Sequence, residues 1–229
     1  MRNDKEIGIS KNFKIFISAG NFLDMNNINT KDLILKNTDF NIKKNDYIFF
    51  ESLLKTEPNE NKIIIKNSNI FFKDKNDEVL FINKIADSQF YYDQNKLQNI
   101  FVSKNKIFNV PYKLKIENDK FNKKFYSKFS SKRIRLNIDN EFDYDENRSG
   151  VLDVSFINNS TSFNYKIKKN FIEFDSNDSK NKFDGLIEIK PFYLTTNFYY
   201  DGLSSRNFFN KESFIVDLIK SEIFKNKNL

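Results

Sequence analysis

The chain has 229 residues, of which 39% are hydrophobic and 30% are charged, and its formal net charge is +7. It contains neither histidine nor cysteine, which excludes the usual general base, thiolate catalysis and the commonest metal ligand. No stretch approaches the roughly 20 consecutive apolar residues that a membrane-spanning helix needs, so the chain is expected to be soluble or peripheral.

The first half of the chain shows imperfect alternation of apolar and polar residues, which is typical of β-strands. Asp74-Lys75-Asn76-Asp77 is a turn signal between two of these segments and indicates a hairpin. The segments before this turn are interrupted by Asn67-Ser68-Asn69, and a second hairpin is expected after it. The strands predicted in this half cover residues 11–18, 32–40, 46–54, 62–66, 70–73, 78–85, 99–102 and 106–110.

The second half alternates much more regularly, so that successive side chains point to opposite faces of each predicted strand. Polar turn signals such as Asn158-Asn159-Ser160-Thr161 separate the segments. Strands spaced by roughly 10–20 residues with such turns favour an antiparallel meander. The strands predicted in this half cover residues 112–117, 124–129, 133–139, 152–156, 163–168 and 185–190.

The predicted fold class is mainly β, in a single domain over residues 1–229. One helix is also expected, at about residues 211–226, where Asn210 can serve as the N-cap and apolar residues from Phe214 to Ile223 recur at helical spacing. Two arrangements fit the strands: a sandwich of two sheets with a closed core, or a single curved sheet whose apolar faces surround a trough.

The apolar positions of the predicted strands form one row that must face a core, a partner or a lipid. Each large apolar side chain left in water forfeits about 1.5–3 kcal/mol of burial. The candidate site consists of the residues in this row: Tyr112, Leu114, Ile116, Ile134, Leu136, Ile138, Leu152, Val154, Phe156, Phe163, Tyr165 and Ile167.

The polar residues give weaker signals. Asp143-x-Asp145-x-Asn147 has the opening spacing of a calcium loop, but Arg148 and Val154 replace the glycine and glutamate that complete such a loop. The densest basic cluster spans residues 123–135 and is interpreted as the solvated face of two strands. No catalytic residue, metal site or cofactor is predicted.

Two segments resemble elements of the AsmA-like family of bacterial envelope proteins, which includes the TamB type. One runs from Lys62 to Asp74 with the return strand Val79–Ile85, and the other is the strand Gly185–Lys190 followed by Pro191-Phe192. The helical stretch Ser213–Phe224 is similar to a helix that interrupts the sheet in such proteins. The resemblance implies a taco-like β-groove in the periplasm, in a protein anchored in the inner membrane through parts outside this chain.

The same resemblance implies that this chain is a non-enzymatic fragment that binds phospholipid or another acyl-chain lipid. Lipid transfer between the inner and outer membranes would then involve the remainder of a longer envelope protein or membrane partners. Two other functions fit the residues: a β-sandwich binding or adhesion module, and a nucleic-acid-binding protein that uses the net positive charge. Acids interleaved with the lysines argue against nucleic acid as a partner.

Overall fold

The protein is described by a computed structural model in which nearly every described residue belongs to a β-strand or to a turn between strands. The structure describes residues 8–17, 30–43, 46, 62–145, 147–157, 159–176, 181–189 and 192–200. Thirteen strands lie in this described part. They are β1 Gly8–Ile17, β2 Thr30–Lys43, β3 Lys62–Lys73, β4 Val79–Asp93, β5 Gln98–Ile107, β6 Val110–Asp119, β7 Lys124–Ser131, β8 Leu136–Asp143, β9 Ser149–Phe156, β10 Asn159–Ile167, β11 Phe171–Ser176, β12 Asn181–Ile189 and β13 Phe192–Tyr200.

The chain divides into two compact units, residues 1–121 and 122–229. In the described part of the first unit, β1 to β6 pair in chain order, and in that of the second unit β7 to β13 do the same. All of these pairs are antiparallel except β2 with β3. The predicted mainly-β fold with antiparallel meander order is therefore confirmed.

The parallel pair departs from the prediction of a purely antiparallel meander. Parallel neighbours need a connection of a dozen or more residues, and residues 44–61 separate β2 from β3. The register reveals an internal repeat that the sequence analysis missed, because Leu33 to Lys43 lies beside Ile63 to Lys73 with a constant offset of 30 positions. Both segments contain Lys-Asn followed by a β-hydroxyl residue, Thr38 or Ser68.

The repeat keeps its register through a shared irregularity. Asn37 and Asn67 occupy the same place in the two copies and both have left-handed backbone, with φ of 52° and 49°. Asparagine is several-fold enriched in this conformation among non-glycine residues. The backbone N–H of Thr38 donates to Oγ of Ser68 at 3.1 Å, and Nδ2 of Asn69 donates to Oδ1 of Asp39 at 2.8 Å. The predicted break at residues 67–69 therefore lies inside one strand, β3, whose pairing with β2 and β4 keeps its register across Asn67.

Two other predicted strands have different bounds in the structure. The segment 106–110 contains the end of β5, a turn at Phe108 and Asn109, and the start of β6. The segment 133–139 becomes a strand only at Leu136, since residues 132–135 form a turn in which Arg135 has a φ of 50°. The predicted helix at 211–226 and nearly all of the predicted strand 46–54 lie outside the described residues.

Candidate functional site

The strand register assigns each residue of the first unit to one of two sheet faces, since directly opposed partners share a face. One transverse row runs through Leu33, Ile63, Phe90, Phe101 and Ile116, which are successive partners from β2 to β6. We call the face with this row the uncharged face of the first unit. It also carries the predicted residues Tyr112 and Leu114, which pair with Asn105 and Ser103.

The second unit has an uncharged face of its own. Its residues were predicted from their alternation, and the pairing Leu136 with Phe156 and Phe163 with Leu152 places them together. The same face continues into β11 through the pair Tyr165 and Phe174. The predicted residues on this face are Leu136, Ile138, Leu152, Val154, Phe156, Phe163, Tyr165 and Ile167.

Ile134 is the one candidate residue that does not lie in a strand. It belongs to the turn between β7 and β8, where only 8% of its surface is exposed. The sequence pattern placed it on the strand because Ile134, Leu136 and Ile138 alternate without a break. The left-handed backbone of Arg135 ends that alternation, and the N–H of Ile157 donates to the carbonyl oxygen of Arg135 at 2.9 Å.

Charged side chains are excluded from both uncharged faces wherever the register assigns them to a face. In β4 to β6 the lysines and acids alternate with the apolar row, and in β8 Asp139, Glu141 and Asp143 alternate with Ile138 and its neighbours. Two lysines are not assigned to a face: Lys11 lies opposite the left-handed Asn37 in β2, and the side chain of Lys31 is not described. The exclusion of charge thus extends across strands from β2 to β13.

The large side chains of the uncharged faces are only partly covered. In the described part of the chain, six apolar residues are buried, against eleven polar or charged ones. The buried polar residues are mostly short, such as Ser68, Ser88 and Ser131, with 2% exposure each. Ile42, Ile85 and Phe156 on these faces are also buried, whereas other large side chains, such as Phe90 and Phe163, are only half-buried. The faces therefore retain apolar area that burial would stabilise.

The polar atoms on these faces are bonded to one another. The hydroxyl of Tyr112 donates to Oδ1 of Asn83 at 3.1 Å, and that of Tyr165 donates to Oδ1 of Asn140 at 2.7 Å. In each unit the tyrosine reaches an asparagine two strands away. Burial raises the pKa of both tyrosines, and the hydrogen bonds to the asparagines partly oppose that rise. The hydroxyls therefore stay neutral at physiological pH and add no charge to either face.

Two glycines on the second uncharged face lie beneath aromatic rings. Gly150 pairs directly with Tyr165, and Gly185 pairs with Phe174. A Cβ atom at Gly150 would lie 2.5 Å from Cζ of Tyr165, and one at Gly185 would lie 2.8 Å from Cζ of Phe174. An aromatic ring over a cross-strand glycine fills the space that the missing side chain leaves. The face thus remains packed although two positions carry no side chain.

Three lysines of the basic cluster that the sequence singled out form ion pairs in the structure. Nζ of Lys123 lies 2.7 Å from Asp145, Nζ of Lys124 lies 2.5 Å from Glu141, and Nζ of Lys128 lies 3.0 Å from Asp139. The hydrogen bond to Asp145 and the charge of that carboxylate raise the pKa of the Lys123 ammonium. Asp145 is thus engaged by a lysine, and no group of three metal-ligating side chains occurs among the described residues.

The uncharged face of the first unit was largely missed by the sequence analysis. Ile63, Phe90 and Phe101 belong to it, yet the alternation there is interrupted at the left-handed Asn67 in β3 and at Ala86 in β4, where the pairing with β5 shifts by one residue. The two interruptions lie at facing positions of β3 and β4. Counting every second residue across them moves side chains to the wrong face.

Comparison with known protein families, curated proteins and solved structures found no match to this chain. The resemblance to the AsmA-like family therefore stays a prediction. The described residues include no helix with the length and apolarity that a membrane span requires.

Proposed function

We propose that this chain is a non-enzymatic segment of an AsmA-like envelope protein, and that its uncharged faces form a hydrophobic groove for phospholipid or another acyl-chain lipid. The observation that carries the proposal is the exclusion of charge from one sheet face in each unit. A lipid acyl chain offers no partner for a charged side chain, so a surface that binds it is free of them.

Partial burial of the large apolar side chains supports the same proposal. Phe90, Phe101, Phe163 and Phe174 are neither buried nor fully exposed. Acyl chains lying on them would remove further apolar area from water, and each methylene that becomes buried contributes about 0.8 kcal/mol. In the two neutral tyrosine and asparagine pairs the tyrosine hydroxyl already donates to the asparagine Oδ1, so an acyl chain lying there would not break that hydrogen bond.

By the same proposal, transfer of lipid between the inner and outer membranes occurs in the periplasm. The chain would supply part of the groove, and the remainder of a longer envelope protein or membrane partners would supply the anchor. Resemblance supports this assignment through the hairpin of β3 and β4 and the strand β12.

The test is lipid co-purification. The chain is expressed, isolated under native conditions and analysed for bound phospholipid by mass spectrometry. We expect near-stoichiometric lipid in the wild type and its loss in Leu136→Asp/Val154→Asp, which places two charges on the uncharged face of the second unit.

The matched control is Ser130→Asp/Ser155→Asp, which adds the same charge to neighbouring positions on the opposite face. Circular dichroism verifies that both variants are folded. The proposal is wrong if the folded wild type carries no lipid, or if the control variant loses as much lipid as the Leu136 and Val154 variant.

A further inference from the structure

The face of the first unit opposite its uncharged face carries the lysines and acids of β4 to β6, and we call it the charged face. Four lysines form a compact patch on it. Lys84 is the direct partner of Lys106 across β4 and β5, and Lys104 is the direct partner of Lys113 across β5 and β6. Directly opposed residues have Cβ atoms about 4.5–5.5 Å apart, and Lys104 and Lys106 are two residues apart on one strand. All four side chains are exposed. We call these residues the lysine patch.

The lysine patch is not neutralised by acids within the described part of the chain. The ion pairs of this unit involve other lysines, such as Lys66 with Asp87 and Lys115 with Glu117. Asp87 is the acid nearest in register, opposite Lys104, and its carboxylate lies 3.9 Å from Nζ of Lys66. The basic cluster of the second unit differs in this respect, since acids on β8 pair with its lysines Lys124 and Lys128.

Folding does not account for this arrangement. Like charges directly opposite each other in an antiparallel pair destabilise a sheet. The patch contains two such pairs on adjacent strands, Lys84 with Lys106 and Lys104 with Lys113. An anionic partner would relieve the repulsion, and a surface with several negative charges would relieve it for all four lysines together.

Exposed apolar residues adjoin the patch at the start of β4. The exposed fractions are 47% for Val79, 62% for Leu80 and 39% for Ile82. Val79 and Ile82 lie on the charged face, because they pair with Lys73 and Phe71. Ile82 precedes Lys84 by two residues and so shares its face. We call Val79, Leu80 and Ile82 the apolar rim.

From these observations we propose that the lysine patch and the apolar rim dock the first unit onto a membrane surface that carries anionic headgroups. The lysines lie against the headgroups, and the apolar rim enters the boundary between headgroups and acyl chains, as in other peripheral membrane-binding surfaces. Lysine stems are apolar and long, which lets the ammonium group follow the headgroup level.

Nucleic acid fits these observations less well. Every cation in the patch is a lysine, whereas bidentate recognition of phosphate and bases favours arginine. Aliphatic side chains at Val79, Leu80 and Ile82 offer no flat surface for bases to stack on. Burial of the same side chains in a membrane interface is favourable, because it removes apolar area from water.

The proposal does not rest on the groove. The lysine patch could dock on a membrane even if the uncharged faces bind no lipid. Separate measurements on separate faces test the two proposals. Co-purified lipid reports on the uncharged faces, whereas vesicle sedimentation reports on the charged face of the first unit.

The experiment measures sedimentation of the full chain with phosphatidylcholine vesicles, with and without added phosphatidylserine, at low and high salt. We expect binding only to the phosphatidylserine vesicles, and weaker binding at high salt because ions screen exposed charges. Each lysine near an anionic surface contributes about fivefold to affinity. Changing all four patch lysines to Gln should therefore weaken binding by about two orders of magnitude or more.

The matched control changes Lys123, Lys124, Lys128 and Lys168 to Gln, which alters the net charge by the same amount but acts on lysines with acidic partners. We expect the control to bind nearly as well as the wild type. Equal loss in both variants would mean that net charge alone drives binding and would overturn the proposal. Equal binding of the wild type to both kinds of vesicle would overturn it too.

A second variant tests the apolar rim. Leu80→Ser/Ile82→Ser keeps every charge, and we expect about tenfold weaker binding for each side chain that enters the interface. If that variant binds like the wild type, or if single-stranded DNA binds through the patch while phosphatidylserine vesicles do not, the membrane proposal is wrong. Thermal unfolding provides the folding check, because removing opposed lysines should leave the sheet unchanged or slightly more stable.

Discussion

Gly150→Ala should be among the most destabilising small substitutions in the described sheet. The added Cβ would lie 2.5 Å from the carbonyl oxygen of Glu141 and 2.5 Å from Cζ and the hydroxyl oxygen of Tyr165. The first contact is with the backbone of the neighbouring strand, so the ring cannot relieve it. The second contact displaces the ring from Asn140 and from Phe142, whose centroid lies 5.9 Å away in a stacked arrangement.

The magnitude follows from these contacts. Overpacking costs about 1–3 kcal/mol, loss of the Tyr165 hydrogen bond about 0.5–1.5 kcal/mol, and loss of the ring pair about 0.5–1.5 kcal/mol. Replacing a glycine stabilises by about 0.4–1 kcal/mol through the unfolded chain. The net expectation is a destabilisation of about 2–4 kcal/mol.

Urea denaturation followed by circular dichroism measures this change in the free energy of unfolding. Val151→Ala is the control, since Val151 is exposed on the opposite face of the same strand. In a Tyr165→Ser background, Gly150→Ala should cost less, because the ring part of the clash is gone, and the double-mutant cycle gives that difference. A neutral or stabilising Gly150→Ala would refute the reasoning about this face.

Three further predictions concern single residues of the uncharged faces and the left-handed position Asn67. Tyr112→Phe/Tyr165→Phe should flatten the loss of stability at alkaline pH, since both folded pKa values lie above the ordinary 10.0 and the neutral hydroxyls stabilise the fold until pH rises through those values. Asn67→Ala should destabilise by about 1–2 kcal/mol, because alanine tolerates left-handed backbone poorly, and Asn67→Gly should restore stability. Ser68→Ala should cost about 1–3 kcal/mol, because it leaves the buried N–H of Thr38 without its acceptor.

Each of these has its own measurement and contrary result. Unfolding midpoints between neutral and alkaline pH test the tyrosines, and an unchanged profile in the double variant would contradict the role given to burial. Thermal melts compare the two Asn67 variants. If the glycine variant is as unstable as the alanine variant, backbone strain is excluded as the cause of the destabilisation. Amide hydrogen exchange at Thr38 tests the Ser68 variant, where protection equal to the wild type is the contrary result.

Local alternation predicted the second unit well, because neighbours in the sequence are enough to determine it. Leu152, Val154 and Phe156 alternate with polar residues, and a strand then places them on one face whatever it pairs with. The fold class followed from the same pattern together with the turn signals. Ile134 was misplaced because the left-handed backbone of Arg135 ends the strand alternation before Leu136, although the apolar pattern in the sequence continues through it.

The sequence by itself determined which residues share a face within the regularly alternating strands β6 and β8 to β10, and hence that these strands are apolar on one side and charged on the other. Only the tertiary structure decided which strands lie side by side. The parallel register of β2 and β3, the register shift at Ala86 and the pairing of Lys84 with Lys106 all depend on pairing between separate strands. Hydrogen bonding between strands selects those partners, and the local periodicity of the sequence does not specify which strands pair.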